Sequence, residues 1–348
     1  MRSQMPIDDG AGGPRGFDAE FPPDPLDQPV KVVPDRGTRV SRETNGQLPN
    51  MTTTMAEDTP LGRKLVEETR RRARLKKVQL EKPAATRIFT ISNQKGGVGK
   101  TSTSVNIAVA LARQGQNVLV IDNDPQGNAS TALGVEHHSE VDSTYDVLID
   151  EMPIADAVKP SAEADNLWVV PATIDLAGAE IELVSMVARE HRLRRALEAY
   201  AKQREADGLE RLDYVFIDCP PSLGLLTLNA FVAATEVLIP IQCEYYALEG
   251  LSQLLKNIEM IQKHLNPELS VSTILLTMYD GRTNLASQVA EEVRNHFPAE
   301  VLETMIPRSV RISEAPSYQQ SVISYDPSST GALSYLEAAA EIAQRPPR

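Results

Sequence analysis

Apolar residues between positions 87 and 344 occur in two alternating patterns. The first pattern is a short, uninterrupted apolar run rich in valine, isoleucine and leucine, which is typical of strands buried on both faces of a sheet. These runs predict strands at 87–92, 117–121, 167–171, 214–218, 237–241, 271–277 and 304–306. The second pattern has apolar residues three or four positions apart and predicts helices at 100–114, 145–149, 177–204, 223–234, 248–265, 285–297 and 331–344. The alternation predicts an α/β fold with a mainly parallel, twisted sheet and helices on both faces.

The N-terminal part of the chain lacks this alternation. Residues 1–60 are polar, contain several prolines and show no periodicity, which predicts a disordered extension. Residues 61–84 are rich in helix formers, and 61–82 carry a formal charge of +6, which predicts a basic, partly helical linker. The residues leave open whether this linker is only solvated or contacts nucleic acid or another acidic surface. Its narrow apolar stripe disfavours a helix lying on a membrane. Residues 85–348 are predicted to form a single domain.

Composition narrows the class of protein. The 348 residues carry a formal net charge of −13, which argues against a generally basic nucleic-acid coat but allows a local basic face. The two cysteines, Cys219 and Cys243, have no metal-binding spacing and imply no disulfide framework. No apolar run reaches the roughly 18 residues of a membrane span, and the first residues do not resemble a secretion signal. We therefore expect a cytoplasmic protein.

A glycine-rich segment joins the first predicted strand to the first long helix. It reads Gly-Gly-Val-Gly-Lys-Thr over residues 96–101. Glycines let backbone amides curl around phosphates, Lys100 supplies a positive charge, and the hydroxyl of Thr101 is a ligand for Mg²⁺. The usual phosphate-loop pattern has glycine where this chain has Gln94, and an additional lysine, Lys95, precedes the glycines. This is the deviant Walker A signature, and it predicts a nucleoside triphosphate site.

Carboxylates follow two other predicted strands. Asp122 and Asp124 end the second strand, and Asp218 ends the apolar run at 214–218. In open α/β sheets, ligands bind at the carboxyl ends of the strands. An aspartate after such a strand is the Walker B arrangement, which holds Mg²⁺ directly or through water. The sequence therefore predicts that these carboxylates lie beside the phosphate loop.

Taken together, these motifs resemble the ParA family of chromosome and plasmid partition ATPases, which shares the deviant Walker A signature with MinD and the nitrogenase iron protein. The resemblance covers about residues 86–345 and does not extend to the first 85 residues. The matching stretches are NQKGGVGKT (93–101), VLVIDNDPQGNAS (118–130), DYVFIDCPPSLGLLTLNA (213–230), IPIQCEYYALEGL (239–251), TMYDGRTNLASQV (277–289) and IPRSVRISEAPSY (306–318).

The resemblance implies ATP and Mg²⁺ as cofactors and assigns roles to individual residues. Lys95, Lys100 and Asp124 are implied to be catalytic, Asp124 by orienting the attacking water and Lys95 by reaching the partner's ATP across an ATP-dependent homodimer. Thr101 is implied to ligate Mg²⁺, with Asp122 and Asp218 in the Mg²⁺ shell. The implied ATP-binding residues are Lys95, Gly96, Gly97, Val98, Gly99, Lys100, Thr101, Ser102, Pro307 and Ser309, the last of which stands where the family commonly has asparagine.

The resemblance also implies partners. Arg282 and Arg311, with Arg308 nearby, match positions that bind double-stranded DNA without sequence preference. A ParB-like protein on the DNA cargo is implied to stimulate hydrolysis, so that the protein is nucleoid-associated and drives segregation of DNA. Basal turnover is expected to be slow.

The same residues disfavour three other classes of protein. A MinD-like membrane switch would need a basic amphipathic C-terminal helix, whereas this tail carries Glu337 and Glu341. A redox protein like the nitrogenase iron protein would need cysteines at cluster-holding positions, which Cys219 and Cys243 do not match. A metabolic P-loop kinase or synthetase would need a substrate-specific constellation, and none is evident.

Overall fold

A computed structural model describes residues 59–245 and 247–346, and a seven-stranded sheet forms the centre of this part of the chain. The residues predicted as a disordered extension lie outside the described residues, apart from Thr59 and Pro60. The strands, numbered along the chain, are β1 (Arg87–Ile91), β2 (Val118–Asp122), β3 (Lys159–Pro160), β4 (Leu167–Val170), β5 (Tyr214–Asp218), β6 (Glu236–Gln242) and β7 (Ser270–Thr277).

Helices connect these strands and cover both faces of the sheet. Short 3₁₀ helices also occur at Leu183–Ser185, Arg189–His191 and Ala315–Tyr318. The α-helices are α1 (Pro60–Leu75), α2 (Lys100–Ala112), α3 (Asn128–Ala132), α4 (Thr144–Ile149), α5 (Ile154–Ala157), α6 (Leu176–Glu182), α7 (Arg192–Ala206), α8 (Leu225–Ala233), α9 (Ala247–His264), α10 (Asn284–His296), α11 (Val310–Glu314), α12 (Val322–Tyr325) and α13 (Thr330–Gln344).

The strand order is β3-β4-β2-β5-β1-β6-β7, and all neighbours are parallel except β3 and β4. Alternate residues of each strand point to opposite faces. Tyr214 and Phe216 of β5 pack in one core with α2 and α13, whereas Val215 and Ile217 pack in a second core with α7 and α8. The predicted α/β fold with helices on both faces of a parallel sheet is confirmed.

This strand order brings three carboxyl ends together at one edge of the sheet. Strand β5 lies between β1 and β2, so that Asp218 is in register with Ile91 on one side and with Asp122 on the other. The loops that follow these three strands therefore all start at the same edge of the sheet. The phosphate loop and the two aspartates are brought together by the topology, although 114 residues separate Ser104 of α2 from Asp218.

The prediction of one long helix at 177–204 is wrong, because the helix is interrupted between α6 and α7. Met186 is extended and Ala188 has a left-handed φ of 49°. The heptad spacing of buried residues continues through the break, so the pattern alone does not reveal it. An unbroken helix of this length would measure roughly 42 Å, whereas a five-residue strand spans about 17 Å. The break allows both halves to pack on the same sheet face, with Leu183 and Leu193 fully buried.

The short strand predicted at 304–306 is also not formed. Only isolated bridges are present on either side of it, at Val301 and Pro307. The backbone amides of Glu303 and Thr304 donate instead to the carboxylate of Glu341 on α13, at 2.8 and 3.1 Å. These two amides are therefore not available for a β-ladder.

The basic segment predicted at 61–84 contains helix α1, which packs against α13. The hydroxyl of Thr59 caps the start of α1 by accepting from the amide of Gly62 at 3.0 Å. Arg71 forms an ion pair with Glu337 of α13, and both side chains are about four-fifths buried, at 19% exposure each. This segment is therefore attached to the folded domain through the second half of α1.

Candidate nucleotide site

The phosphate loop is held in an open curve by its glycines and by two neighbouring strands. Gly97 and Gly99 have φ values of 74° and 88°, which are strained for residues with a Cβ atom. The hydroxyl of Thr277, at the end of β7, donates to the carbonyl oxygen of Val98 at 2.8 Å. The side-chain amide of Asn93 donates to the carbonyl oxygen of Pro240 at 2.9 Å. The loop is therefore anchored to the ends of β6 and β7 and leads into the N-terminus of α2.

Lys100 lies inside this loop and is 7% exposed. Its Nζ donates to the carbonyl oxygen of Lys95 at 3.3 Å. Burial lowers the pKa of Lys100, and the nearby charges of Asp218 and Asp124 partly oppose this shift. A buried cation with few partners gains much from an added anion, so this position is suited to phosphate.

Asp122 and Asp218 form a buried pair of carboxylates next to the loop. Both are 0% exposed. Burial raises the pKa of Asp122, and the charge of Asp218 raises it further, while hydrogen bonds from Ser130 oppose the shift. Burial likewise raises the pKa of Asp218, against hydrogen bonds from the hydroxyls of Ser104 and Thr101. Two carboxylates held this closely in a water-poor site favour a cation between or beside them.

The partners of these carboxylates show where a cation fits. Asp122 accepts from the amide and the hydroxyl of Ser130, at 2.8 and 2.7 Å. Oδ1 of Asp218 accepts from the hydroxyl of Ser104 at 2.7 Å, but its buried Oδ2 accepts no hydrogen bond from any described residue. Such an atom needs a partner. An oxygen donor beside the hydroxyl of Thr101 suits Mg²⁺, which prefers hard oxygen ligands.

Asp124 lies on the loop that follows β2 and is 8% exposed. Its Oδ1 accepts from the amide of Gln126 at 3.0 Å, and its carbonyl oxygen accepts from the amide of Gly127 at 2.9 Å. These two bonds tighten the turn and fix the direction of the carboxylate. The negative charge of Asp124 raises the pKa of both Lys100 and Asp218, so Asp124 lies in the same site.

Lys95 occupies a different environment from Lys100. Its side chain is 49% exposed at the rim of the loop, and its Nζ forms an ion pair with Glu244, in the loop after β6. The amide of Lys95 donates to the side chain of Asn93 at 3.0 Å. The second lysine of the signature therefore points away from the buried carboxylates and is accessible at the surface.

Pro307, Arg308 and Ser309 line a cavity of about 310 Å³ directly beside the phosphate loop. Gly99 and Ser102 line the same cavity from the loop side. The structure thus brings the residues matched to base contacts and those matched to phosphate contacts into one continuous site. A cavity of this size is within the range of small-molecule sites.

A larger cavity of about 730 Å³ lies at the amino ends of the strands. Its lining includes Thr86, Leu197, Arg204 and Leu212. It contains none of the predicted site residues. Because the carboxylates, the buried lysine and the glycine loop all gather at the opposite edge of the sheet, we assign the nucleotide site to the smaller cavity and the phosphate loop.

The three predicted DNA-binding arginines lie on adjoining surface segments, Arg282 and Arg308 on loops and Arg311 on the short helix α11. The amide of Arg308 donates to the carbonyl oxygen of Tyr279 at 3.1 Å, which joins the segment around 308 to the loop that carries Arg282. Arg282 is paired with Asp280 at 2.6 Å, and Arg311 with Glu314 at 3.1 Å. Hydrogen bonds from Arg282 lower the pKa of Asp280 to about 2. We call these three exposed arginines the arginine strip.

Several residues that support the site were not identified from the sequence. Ser104 could have been found, because it lies one helical turn after Lys100 and therefore on the same face of α2. Ser130, Thr277 and Glu244 lie in three separate stretches of the chain, and only the fold brings them to the site.

Comparisons with known proteins identify the family of this chain. The family model described as an AAA domain matches residues 86–271, which is more than half of the chain. The sporulation initiation inhibitor protein Soj of Bacillus subtilis is 54% identical over 257 residues, covering 74% of this chain and 98% of that protein. The chromosome partitioning protein ParA of Myxococcus xanthus is 51% identical over 259 residues, covering 74% of this chain and 88% of that protein.

A solved structure shows the same fold with nucleotide bound. The structure of cobyrinic acid a,c-diamide synthase from Mycobacterium smegmatis, with an ATP analogue and magnesium, has a TM-score of 0.61 and 38% identity, covering 73% of this chain and 93% of that chain. No helix among the described residues is both long and apolar enough to cross a membrane. From the family model and the relatives above 50% identity, we conclude that the chain belongs to the ParA/Soj family of chromosome partitioning ATPases.

Proposed function

We propose that this protein is a partition ATPase that dimerises when it binds ATP, binds duplex DNA as a dimer, and is released when a ParB-like partner stimulates hydrolysis. The observation that carries the proposal is that one phosphate loop has two lysines, of which Lys100 is buried and Lys95 is exposed. A generic phosphate loop needs only the buried lysine. The names of the partitioning relatives support the same conclusion.

Within one subunit, the chain positions the nucleotide and neutralises its charge. The backbone amides of residues 96–102 and the ammonium of Lys100 face the phosphates, and Pro307 and Ser309 contact the base. Thr101, Asp122 and Asp218 would hold Mg²⁺, which when bound would supply positive charge to neutralise the phosphates. Asp124 accepts a hydrogen bond from the attacking water and directs it. Phosphoryl transfer depends mainly on such positioning and charge stabilisation.

Lys95 completes the site from the partner subunit. Its exposure at the rim supports this role, because a side chain that points outward can reach across an interface. In the isolated subunit, however, Lys95 is paired with Glu244. Dimerisation must therefore exchange this ion pair for contact with the partner's nucleotide.

We expect Glu244→Gln to strengthen ATP-dependent dimerisation by about 2- to 30-fold. Each exposed ion pair contributes about 0.2–1 kcal/mol, and two are exchanged per dimer. The dimer constant can be measured by sedimentation with a non-hydrolysable ATP analogue. Glu249→Gln, which removes an exposed carboxylate from the first turn of α9, is the matched control. Equal dimer constants for the two variants would show that Glu244 does not restrain Lys95.

The arginine strip is the proposed contact with DNA. The side chains of Arg282 and Arg311 are 88% and 55% exposed, although their carboxylate partners are partly buried, and ion pairs of such exposed cations are weak enough for phosphate groups to displace them. Two strips in a dimer double the number of phosphate contacts, so the affinity rises steeply on dimerisation and falls with salt. Binding of this kind reads no sequence, which suits association with the nucleoid.

The C-terminal helix argues against the membrane alternative. The apolar side of α13 is packed in the core, where Tyr335, Ala338, Ala339 and Ile342 are buried. A membrane-binding helix would need that side exposed.

Both cysteines are buried as well, and Cys219 shares a hydrogen bond with Thr90, so neither is presented at a surface for a shared cluster. The synthase is less similar to this chain than the two partitioning relatives are.

The test of the proposed function is duplex-DNA binding with ATP, with ADP and without nucleotide, comparing the natural chain with Arg282→Glu. We expect binding only with ATP, and an affinity at least about tenfold weaker for the variant, because each dimer loses two phosphate contacts and gains two repulsive carboxylates. ATP-driven dimerisation should be unchanged. Arg194→Glu is the control, since Arg194 is also paired with a carboxylate, at 3.1 Å, but lines the cavity at the amino ends of the strands. Equal binding by both variants would refute the DNA-binding role of the arginine strip.

A further inference from the structure

Helix α1 carries two sets of basic side chains, and the first set attaches the helix to the domain. Arg71 donates to both carboxylate oxygens of Glu337, at 2.5 to 3.0 Å, and to the hydroxyl of Ser334 at 3.0 Å. Arg72 donates to the carbonyl oxygens at 327 and 328, at 3.0 and 2.5 Å. These arginines are explained by packing.

The second set is exposed and has no such explanation. It comprises Arg63, Lys64 and Arg74 of α1 and Lys76 and Lys77 directly after its end, and none of the five pairs with a carboxylate within the described part of the chain. At 3.6 residues per turn, Arg63 and Arg74 lie within about 20° of each other around the helix axis, about 160–180° from Arg72 and about 60–80° from Arg71. We call the side of α1 that carries Arg63 and Arg74 its cationic side.

The anchoring contacts place helix α1 next to the arginine strip. Arg72 binds the loop at 327–328, and Asp326, which immediately precedes this loop, pairs with Arg311 at 3.6 Å. On the cationic side, Arg74 lines a cavity of about 830 Å³ together with Tyr279 and Pro307. Tyr279 accepts the backbone hydrogen bond from Arg308. Helix α1 therefore adjoins the arginine strip at two places, and Arg74 brings its cationic side to one of them.

We propose that the cationic side of α1 is a second phosphate-binding element for duplex DNA, continuous with the arginine strip. The proposal rests on the proposed function, since it extends the same DNA-binding surface. Residues 61–82 carry +6 in a chain whose net charge is −13, so the rest of the chain is strongly acidic. Regularly spaced phosphates, one charge per about 1.7 Å of duplex, match a row of cations on a helix about 24 Å long.

The chemistry of this side favours DNA over an anionic membrane. Insertion into a bilayer interface needs a broad apolar face opposite the cations. In α1 the side opposite the cations is the one that packs on α13, where Leu75 is partly buried. Among the residues of α1 whose side chains are described, Leu65 is the exposed large apolar one, at 63% exposure, and a single leucine is a weak anchor. Phosphate contact without insertion is the role that fits these residues.

The test neutralises three of these cations in the full chain, as Arg63→Gln, Arg74→Gln and Lys77→Gln together. With ATP and Mg²⁺, affinity for a random-sequence duplex should fall at least about tenfold at 100 mM salt. The slope of log affinity against log salt should become shallower by about 3 per subunit, since each phosphate contact contributes about 0.9. The control triple, Arg194→Gln, Arg195→Gln and Lys202→Gln on α7, removes the same charge from the opposite face of the sheet and should change neither quantity.

The remaining outcomes each decide the question. An unchanged slope in the first triple, with Arg282→Glu still defective, overturns the role of α1 while leaving the proposed function intact. If the natural chain binds no duplex DNA with ATP, both proposals fail. Loss of binding to phosphatidylserine vesicles, with duplex binding unaffected, would assign α1 to a membrane instead. A melting curve that matches the natural chain confirms that the triple variant is folded.

Discussion

Replacing Lys100 with alanine is expected to lower ATP affinity about 10- to 150-fold. The ammonium of Lys100 is buried within the phosphate loop and, among the described residues, donates one hydrogen bond, to the carbonyl oxygen of Lys95. A charge-assisted hydrogen bond contributes about 1.5–3 kcal/mol, and each 1.4 kcal/mol is a factor of ten in affinity. Removing the cation also leaves Asp124 and Asp218 to repel the phosphates. Titration calorimetry with Mg²⁺ and ATP measures the effect directly.

Lys95→Ala is the control for this prediction. Lys95 belongs to the same loop, but it points outward and pairs with Glu244. A subunit with Lys95→Ala should therefore bind ATP close to normally, while its dimer hydrolyses poorly. Tight ATP binding by Lys100→Ala would mean that the nucleotide site has been assigned to the wrong loop.

Replacing Asp124 with alanine is expected to separate binding from hydrolysis. The buried carboxylate is held by the amide of Gln126, and its removal leaves the phosphate loop and the Asp122–Asp218 pair in place. ATP binding and dimerisation should persist, while turnover falls about 100-fold or more, the usual range for losing a group that orients or deprotonates a nucleophile. The dimer should then remain on DNA, because release depends on hydrolysis.

Single-turnover ATP hydrolysis and DNA dissociation rates, measured on the same samples, check this expectation. Lys100→Ala provides the contrast, since it should lose binding and hydrolysis together. Normal turnover by Asp124→Ala would exclude the water-orienting role. Slow turnover with rapid loss from DNA would separate DNA release from hydrolysis and contradict the proposed cycle.

Much of the nucleotide site could be predicted from local sequence. Each predicted site aspartate follows a strand whose apolar run is unmistakable, and parallel strands end at a common edge. The register of Asp122 with Asp218 follows from β5 lying between β1 and β2. The strand order itself depends on how the crossover helices pack. The sequence therefore predicts that the aspartates lie near the phosphate loop, whereas their hydrogen bonds are seen only in the structure.

Other features could not be predicted, because they depend on contacts between distant residues. Arg71 and Glu337 are 266 positions apart, and the weak apolar stripe of α1 gave no sign that the helix docks. Docking there relies on polar contacts, which leave no periodic pattern. The break between α6 and α7 was hidden for the opposite reason: the apolar period continues through it, and only the limited length of the sheet requires the chain to turn.

The buried carboxylate pair makes the lifetime of the protein depend on its ligand. Asp122 and Asp218 repel each other inside the domain, and Oδ2 of Asp218 accepts no hydrogen bond from a described residue. A ligand that binds only the folded chain stabilises it by mass action, and a bound cation also removes this repulsion. When the supply of ATP and Mg²⁺ falls, a larger fraction of molecules unfolds and becomes accessible to proteases. In a cell that lacks ATP and Mg²⁺, the number of folded molecules should then depend partly on Asp122 and Asp218.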